Sequence, residues 1–162
     1  MKSVILAVLC LIAFLPLSLD PAMAAGKDEL TLSGTYVNPD AGPTAWAANA
    51  EYLIGVGDYF VIGPSFSLFD AGGGTDGNAF GVAGELNLTG LSGLFVGGAA
   101  HKLGGDAADV ADYTYEARAG FKLGDGAGYF KIYLAKTWTD TGEGALVAPD
   151  ALTGVVGLGL RF

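Results

Sequence analysis

Residues Ala151 to Phe162 read ALTGVVGLGLRF, and every second position from Leu152 is apolar or glycine: Leu152, Gly154, Val156, Leu158, Leu160 and Phe162. The intervening residues, Thr153, Val155, Gly157, Gly159 and Arg161, are smaller and end in a charge. Alternation with period two over this length predicts a β-strand whose two faces differ. A chain that ends inside such a strand leaves one edge of it for another strand to pair. If the partner is the first strand of the chain, the sheet closes into a barrel and no edge remains.

Working backward, the same alternation recurs in segments of about ten residues, the length of a tilted membrane-crossing strand. Leu30, Leu32, Gly34 and Tyr36 alternate with Thr31, Ser33 and Thr35. Trp46, Ala48, Ala50, Tyr52 and Ile54 alternate with Asn49 and Glu51. Phe60, Ile62, Pro64, Phe66 and Leu68 share a third strand, where Pro64 removes a ladder donor and predicts a bulge or a strand end. Phe80, Val82, Gly84, Leu86 and Leu88 stand opposite Glu85 and Asn87. In the fifth strand, Leu94 to Leu103, glycine and alanine blur which face is which. Tyr113, Tyr115, Ala117, Ala119, Phe121 and Leu123 face away from Thr114, Glu116, Arg118, Gly120 and Lys122. Phe130, Ile132, Leu134 and Trp138 face away from Lys131, Tyr133 and Thr137.

With the terminal strand, that makes eight. Long connections at 38–43, 70–77, 104–112 and 140–150 alternate with short ones at 57–58, 89–93 and 124–128. The expected fold is an all-β, eight-stranded, antiparallel up-and-down transmembrane barrel, since alternating loop lengths characterise such barrels. Aromatic residues near strand ends (Tyr36, Trp46, Tyr59, Phe69, Tyr113, Tyr129, Phe130, Trp138, Phe162) are expected to form interfacial girdles.

The first 24 residues differ from the rest: Lys2, an apolar run from Val4 to Leu19, then Ala22-Met23-Ala24. That three-part pattern predicts a secretory signal peptide over 1–24 and a barrel domain over 25–162. The apolar run is too short for a membrane-spanning helix. Cys10 lies within it, so the mature chain has no thiol nucleophile, thiolate metal site or disulfide. The net charge is −9, and removal of Lys2 with Asp20 leaves it unchanged. An acidic chain without basic clusters argues against nucleic acid as a partner.

The loop acids Asp40, Asp70, Asp76, Asp106, Asp109, Asp112, Asp140, Glu143 and Asp150 fall in or bound the four long connections. They match no EF-hand or RTX spacing, so they are read as solvating the loops; no metal and no cofactor is expected. The strand charges Glu51, Glu85, Glu116, Arg118, Lys122, Lys131 and Arg161 all take the face opposite the bulky apolar set. With lipid outside, that face is the lumen, which in eight strands is only wide enough for side chains to fill. A plug of paired charges is the expectation.

The terminal strand resembles the closing strand of bacterial outer-membrane β-barrels, which commonly end in an aromatic residue with a glycine about five positions upstream. Gly157, Leu160 and Phe162 occupy those places and would form the assembly signal. In architecture the mature chain resembles the small OmpA/OmpX-type and opacity-type barrels. The resemblance implies location in the bacterial outer membrane and contact with outer-membrane lipids and lipopolysaccharide. It also implies handling by the barrel-assembly machinery and a monomeric state. Function would then be non-enzymatic: envelope structure, or surface interaction through the four acidic loops. Lys136, on the apolar face, could reach a lipid phosphate. Deleting Phe162 should harm membrane insertion more than any loop activity.

Three alternatives stay open. One is a narrow porin-like channel, because glycine and alanine occupy several lumen positions. Another is a lipid A-modifying outer-membrane enzyme. His101 and Glu116 resemble part of the Ser-His-Glu site of the lipid A deacylases, but Leu103 stands where those enzymes carry serine. Palmitoyl-transferring barrels need a His-Ser pair that the sequence does not place. The third is a soluble periplasmic barrel carrying a hydrophobic ligand.

Overall fold

A computed structural model describes residues 28–37, 43–57, 59–72, 76–88, 93–124, 127–141, 146–147 and 152–162. The expected signal peptide lies outside the described residues, as does much of the long connections. The strands are β1 (Glu29–Val37), β2 (Ala45–Val56), β3 (Phe60–Asp70), β4 (Asp76–Asn87), β5 (Leu94–Gly105), β6 (Tyr113–Leu123), β7 (Gly128–Asp140), β8 (Leu146–Val147) and β9 (Thr153–Arg161).

Each strand pairs antiparallel with its sequence neighbour from β1 to β7. β9 then pairs with β7 on one side and β1 on the other, which closes a ring of eight. The two-residue β8 pairs only with Thr139 and Asp140 at the far end of β7 and lies outside the ring. Closure satisfies the backbone of the two strands that would otherwise be edges. The protein is an all-β, up-and-down barrel, with no α-helix among the described residues.

The closing seam depends on a close approach. A Cβ at Gly157 would lie 2.7 Å from the Leu32 carbonyl oxygen and 2.7 Å from the Ser33 Cβ. Only glycine fits there. Leu160 stands level with Leu30 and Gly128 in the same seam. Phe162 continues it, its N–H donating to the Asp28 carbonyl at 3.1 Å.

Pro64 neither ends β3 nor introduces a bulge. The ladder to β2 is interrupted between Glu51↔Ser65 and Ile54↔Ile62, with the same number of residues on both strands. On its other side Pro64 stays paired with Val82. Beside it, Gly63 lies so close to β2 that any Cβ there would strike the Tyr52 carbonyl.

The long acidic connection expected from 104 is shorter than that. β5 continues to Gly105, and Asp106–Asp109 form one 3-10 turn with Ala107 buried. β7 likewise runs on to Asp140.

The faces are inverted relative to a water-soluble domain. Outward positions carry Ile54, Phe66, Phe80, Val82, Phe130, Ile132, Leu134 and Val156, with Phe80 63% and Leu134 54% exposed. Inward positions carry Glu29, Thr31, Ser33, Glu51, Ser65, Glu85, Arg118, Lys122 and Lys131, all buried. Among the described residues, two small apolar clusters lie inside: Phe95 with Tyr133, Ala135 and Val155, and Leu53 with Val61 and Ala83. Among the described strand residues, outward charges are confined to Asp70, Asp76, Lys102, Lys136 and Asp140, in the halves of their strands nearer the long connections.

Two aromatics assigned to the girdles belong elsewhere. Tyr129 is inside the barrel, 3% exposed, with its ring over Gly159 of β9. Its neighbour Phe130 takes the exposed outward position, as the alternation with Ile132 and Leu134 requires. Phe69 shares the inward parity of Ser65 and Ser67 and packs toward Gly77 and Ala107 under the 3-10 turn.

Candidate functional site

The barrel interior near the short turns holds one continuous chain of alternating charges. Arg161 Nε lies 3.2 Å from Glu29 Oε1, and Glu29 Oε2 accepts from Lys122 Nζ at 2.5 Å. Lys122 Nζ lies 2.9 Å from Glu85 Oε2, an ion pair without hydrogen-bond geometry. Glu85 Oε1 accepts from Lys131 Nζ at 2.5 Å, and Lys131 also donates to Glu51 Oε2 at 3.0 Å. Glu51 Oε1 accepts from Arg118 Nη1 at 2.6 Å. Arg118 then approaches Glu116 at 3.7 Å and, through Nη2, Glu85 at 3.3 Å.

Period two makes this possible. Each of these residues occupies an inward position on a different strand or an even number of positions apart on one strand, so tilt and stagger stack them as layers along the axis. Strand β6 alone supplies Glu116, Arg118 and Lys122. Inward glycines leave room for the long side chains and for three aromatic rings. Gly120 stands opposite Phe95 and Tyr133, and Gly159 opposite Tyr129.

Those rings separate and line the ammonium groups. Lys122 and Lys131 lie 5.3 and 5.2 Å from the Phe95 centroid, and Arg161 lies 4.5 Å from that of Tyr129. The Tyr129 hydroxyl donates to Glu29 Oε2 at 2.9 Å and also meets Thr31 Oγ1 at 2.9 Å. Phe95 and Tyr133 meet edge to face at 6.0 Å.

The chain contains the acids Glu29, Glu51, Glu85 and Glu116 and the bases Arg118, Lys122, Lys131 and Arg161, so it is neutral when fully ionised. Neutrality matters because an unpaired ion in such a place costs several kcal/mol. The seven residues expected from sequence are all brought together. The eighth, Glu29, was missed, although it shares parity with Thr31 and Ser33 and so was readable as inward. The rings of Phe95 and Tyr129 were missed too: β5 has no clear alternation, and Tyr129 sits at a strand start.

Toward the long connections the interior changes character. Its inward residues there are small or weakly polar: Ser65, Ser67, Ala79 and His101 are all buried. The blurred register of β5 resolves with His101 inward and Lys102 outward, opposite Thr114 and Tyr113. His101 Nε2 hydrogen-bonds Ser65 Oγ at 2.9 Å. A serine thus does accompany the histidine, from β3 rather than from position 103. Glu116 lies in register with Ala99, two residues from His101, and its charge is directed to Arg118. Sequence distance hid Ser65: the two residues are 36 apart and on strands separated by β4.

Of the residues expected to form an assembly signal, Gly157 lies at the β1–β9 seam and in register with Lys131 of the ion chain, and Leu160 and Phe162 flank Arg161 at the end of that seam. No group of His, Cys, Asp and Glu suited to a metal ion occurs among the described residues. Chemically, the interior offers a neutral network of ion-paired and hydrogen-bonded side chains at one end and a Ser-His contact toward the other. Comparison with known protein families, curated proteins and solved structures finds no match for the chain.

Proposed function

We propose that the protein is a non-enzymatic β-barrel of the bacterial outer membrane, with its lumen closed by the ion chain. On this reading it acts in envelope structure or in surface interaction through its acidic long connections. The observation that carries the proposal is the inversion of faces: a belt of exposed Ile, Leu, Val and Phe outside, and buried carboxylates and ammonium groups inside. A water-soluble barrel gains nothing from exposing that belt, whereas a bilayer removes it from water.

Fractionation of cells expressing the full chain tests this. The protein is expected in the outer-membrane fraction, released by detergent. Release by osmotic shock without detergent would contradict the proposal. The plug has its own test in a planar bilayer, where the refolded protein should show no stable conductance. A steady single-channel current would replace the plug with the narrow channel.

A lipid A-modifying enzyme is the second reading, and the Ser65–His101 hydrogen bond favours it. Against it, both side chains are buried inside the barrel, and no described carboxylate hydrogen-bonds the histidine. An orienting third group is part of such sites. Substitution His101→Ala is expected to leave the mass of lipid A unchanged in cells expressing the protein.

A further inference from the structure

The outward face of β5, β6 and β7 is unlike the rest of the belt. It carries the outward cations of the described strands, Lys102 and Lys136, both on this one sector. The register places them around β6. Lys102 is level with Tyr113, Ala100 with Tyr115 and Trp138, and Gly98 with Ala117 and Lys136. Tyr113 therefore stands beside Lys102, and one aromatic row, Tyr115 with Trp138, lies between the levels of the two lysines, beside the small residues Gly98, Ala100 and Ala117.

Lys102 pairs with no described carboxylate, and Lys136 lies over the Trp138 ring at 6.0 Å. Among the described residues, Asp140 is the carboxylate on this outward patch, level with Tyr113, and it has an interaction of its own. From strand spacing and rise, the two lysine Cα atoms are about 16 Å apart. Flexible four-carbon stems let both ammonium groups move inward along the surface. Tyr113 and Tyr115 are about two-fifths exposed, as rings at an interface would be.

We propose that Lys102 and Lys136, with Tyr113, Tyr115 and Trp138 beside them, bind the phosphate-bearing head group of an anionic membrane lipid. Charge complementarity selects the ligand: two unneutralised ammonium groups beside an apolar belt match a molecule with phosphate at one end and acyl chains at the other. The aromatic side chains pack against the boundary between the two parts. The inference rests on the membrane reading above and adds a defined site: Lys102 paired with Lys136 across β6, with the aromatic side chains that accompany them.

The test uses the full chain refolded into bilayers of phosphatidylcholine doped with phosphatidic acid. Detergent extraction is followed by mass spectrometry of the lipid that stays with the protein. Wild type should retain phosphatidic acid above its bulk share. Lys102→Gln and Lys136→Gln should each lower that enrichment about fivefold, the effect of one basic side chain at an anionic surface. The double glutamine variant should fall to the bulk share, and Lys102→Arg with Lys136→Arg should keep the enrichment. Equal enrichment in wild type and the double glutamine variant, or none in wild type, would overturn this inference while leaving the membrane reading standing. Failure of the folded chain to enter any bilayer would overturn both.

Discussion

Successive residues of one strand obey opposite rules in this molecule. Glu85 is wholly buried and touches three cations, while Leu86 beside it is 42% exposed. Lys131 is wholly buried, and Ile132 is 48% exposed. The difference teaches that the barrel's apolar surface is on the wrong side for water. Its interior is held by electrostatic pairing rather than by a hydrophobic core. Ion pairs of this kind are poor net stabilisers compared with apolar packing, because each charge must first be stripped of water. They are very sensitive to the loss of one partner. The inner face should therefore be fragile toward neutralisation, and the outer face toward charging.

Neutralising the inner face is the larger effect. Glu85→Leu leaves Lys122, Lys131 and Arg118 short of a counter-charge and should cost about 3–5 kcal/mol. Urea unfolding of the bilayer-reconstituted protein reads this directly. A loss below about 1 kcal/mol, the scale of an exposed pair, would show that the chain of charges is not closed to water.

Charging the outer face comes next. Leu134→Lys, near the middle of the apolar belt, should cost about 2–4 kcal/mol in a bilayer. In a water-soluble barrel the same exposed position would accept lysine at no cost. Measured by the same unfolding assay, the variant thus separates the two environments for the outer face.

The smallest effect belongs to the interior near the long connections. Ser65→Ala removes one hydrogen bond to His101 and should cost about 1 kcal/mol. A loss as large as that of Glu85→Leu would mean that the two ends of the interior form one network.

Alternation alone makes most of the barrel legible in the sequence. The clean period of Tyr113 to Leu123 places Arg118 and Lys122 on one face, and β6 has that face inward. Three features were hidden for identifiable reasons. The blurred strand from Leu94 has glycine and alanine on both faces, so the inward turn of Phe95 and His101 depended on the ladder to β4 and β6. Tyr129 and Phe130 are adjacent aromatics at a strand start, where composition fits either face and parity alone decides. Glu29 opens its strand, and a charge at a boundary reads as solvated until Lys122 and Arg161 are seen to meet it. The Ser65–His101 contact belongs to the same category as Glu29–Lys122: cross-barrel neighbours are set by stagger, and short-range patterns carry no trace of stagger.

The central claim, that the exposed apolar belt lies against acyl chains, has a direct test in fluorescence. The chain contains two tryptophans, Trp46 and Trp138. With both changed to phenylalanine, a single Ile132→Trp probe sits in the belt. In vesicles of lipids brominated along their acyl chains, its emission should be strongly quenched, and aqueous iodide should have little effect. Quenching by iodide with indifference to the brominated lipids would contradict the account.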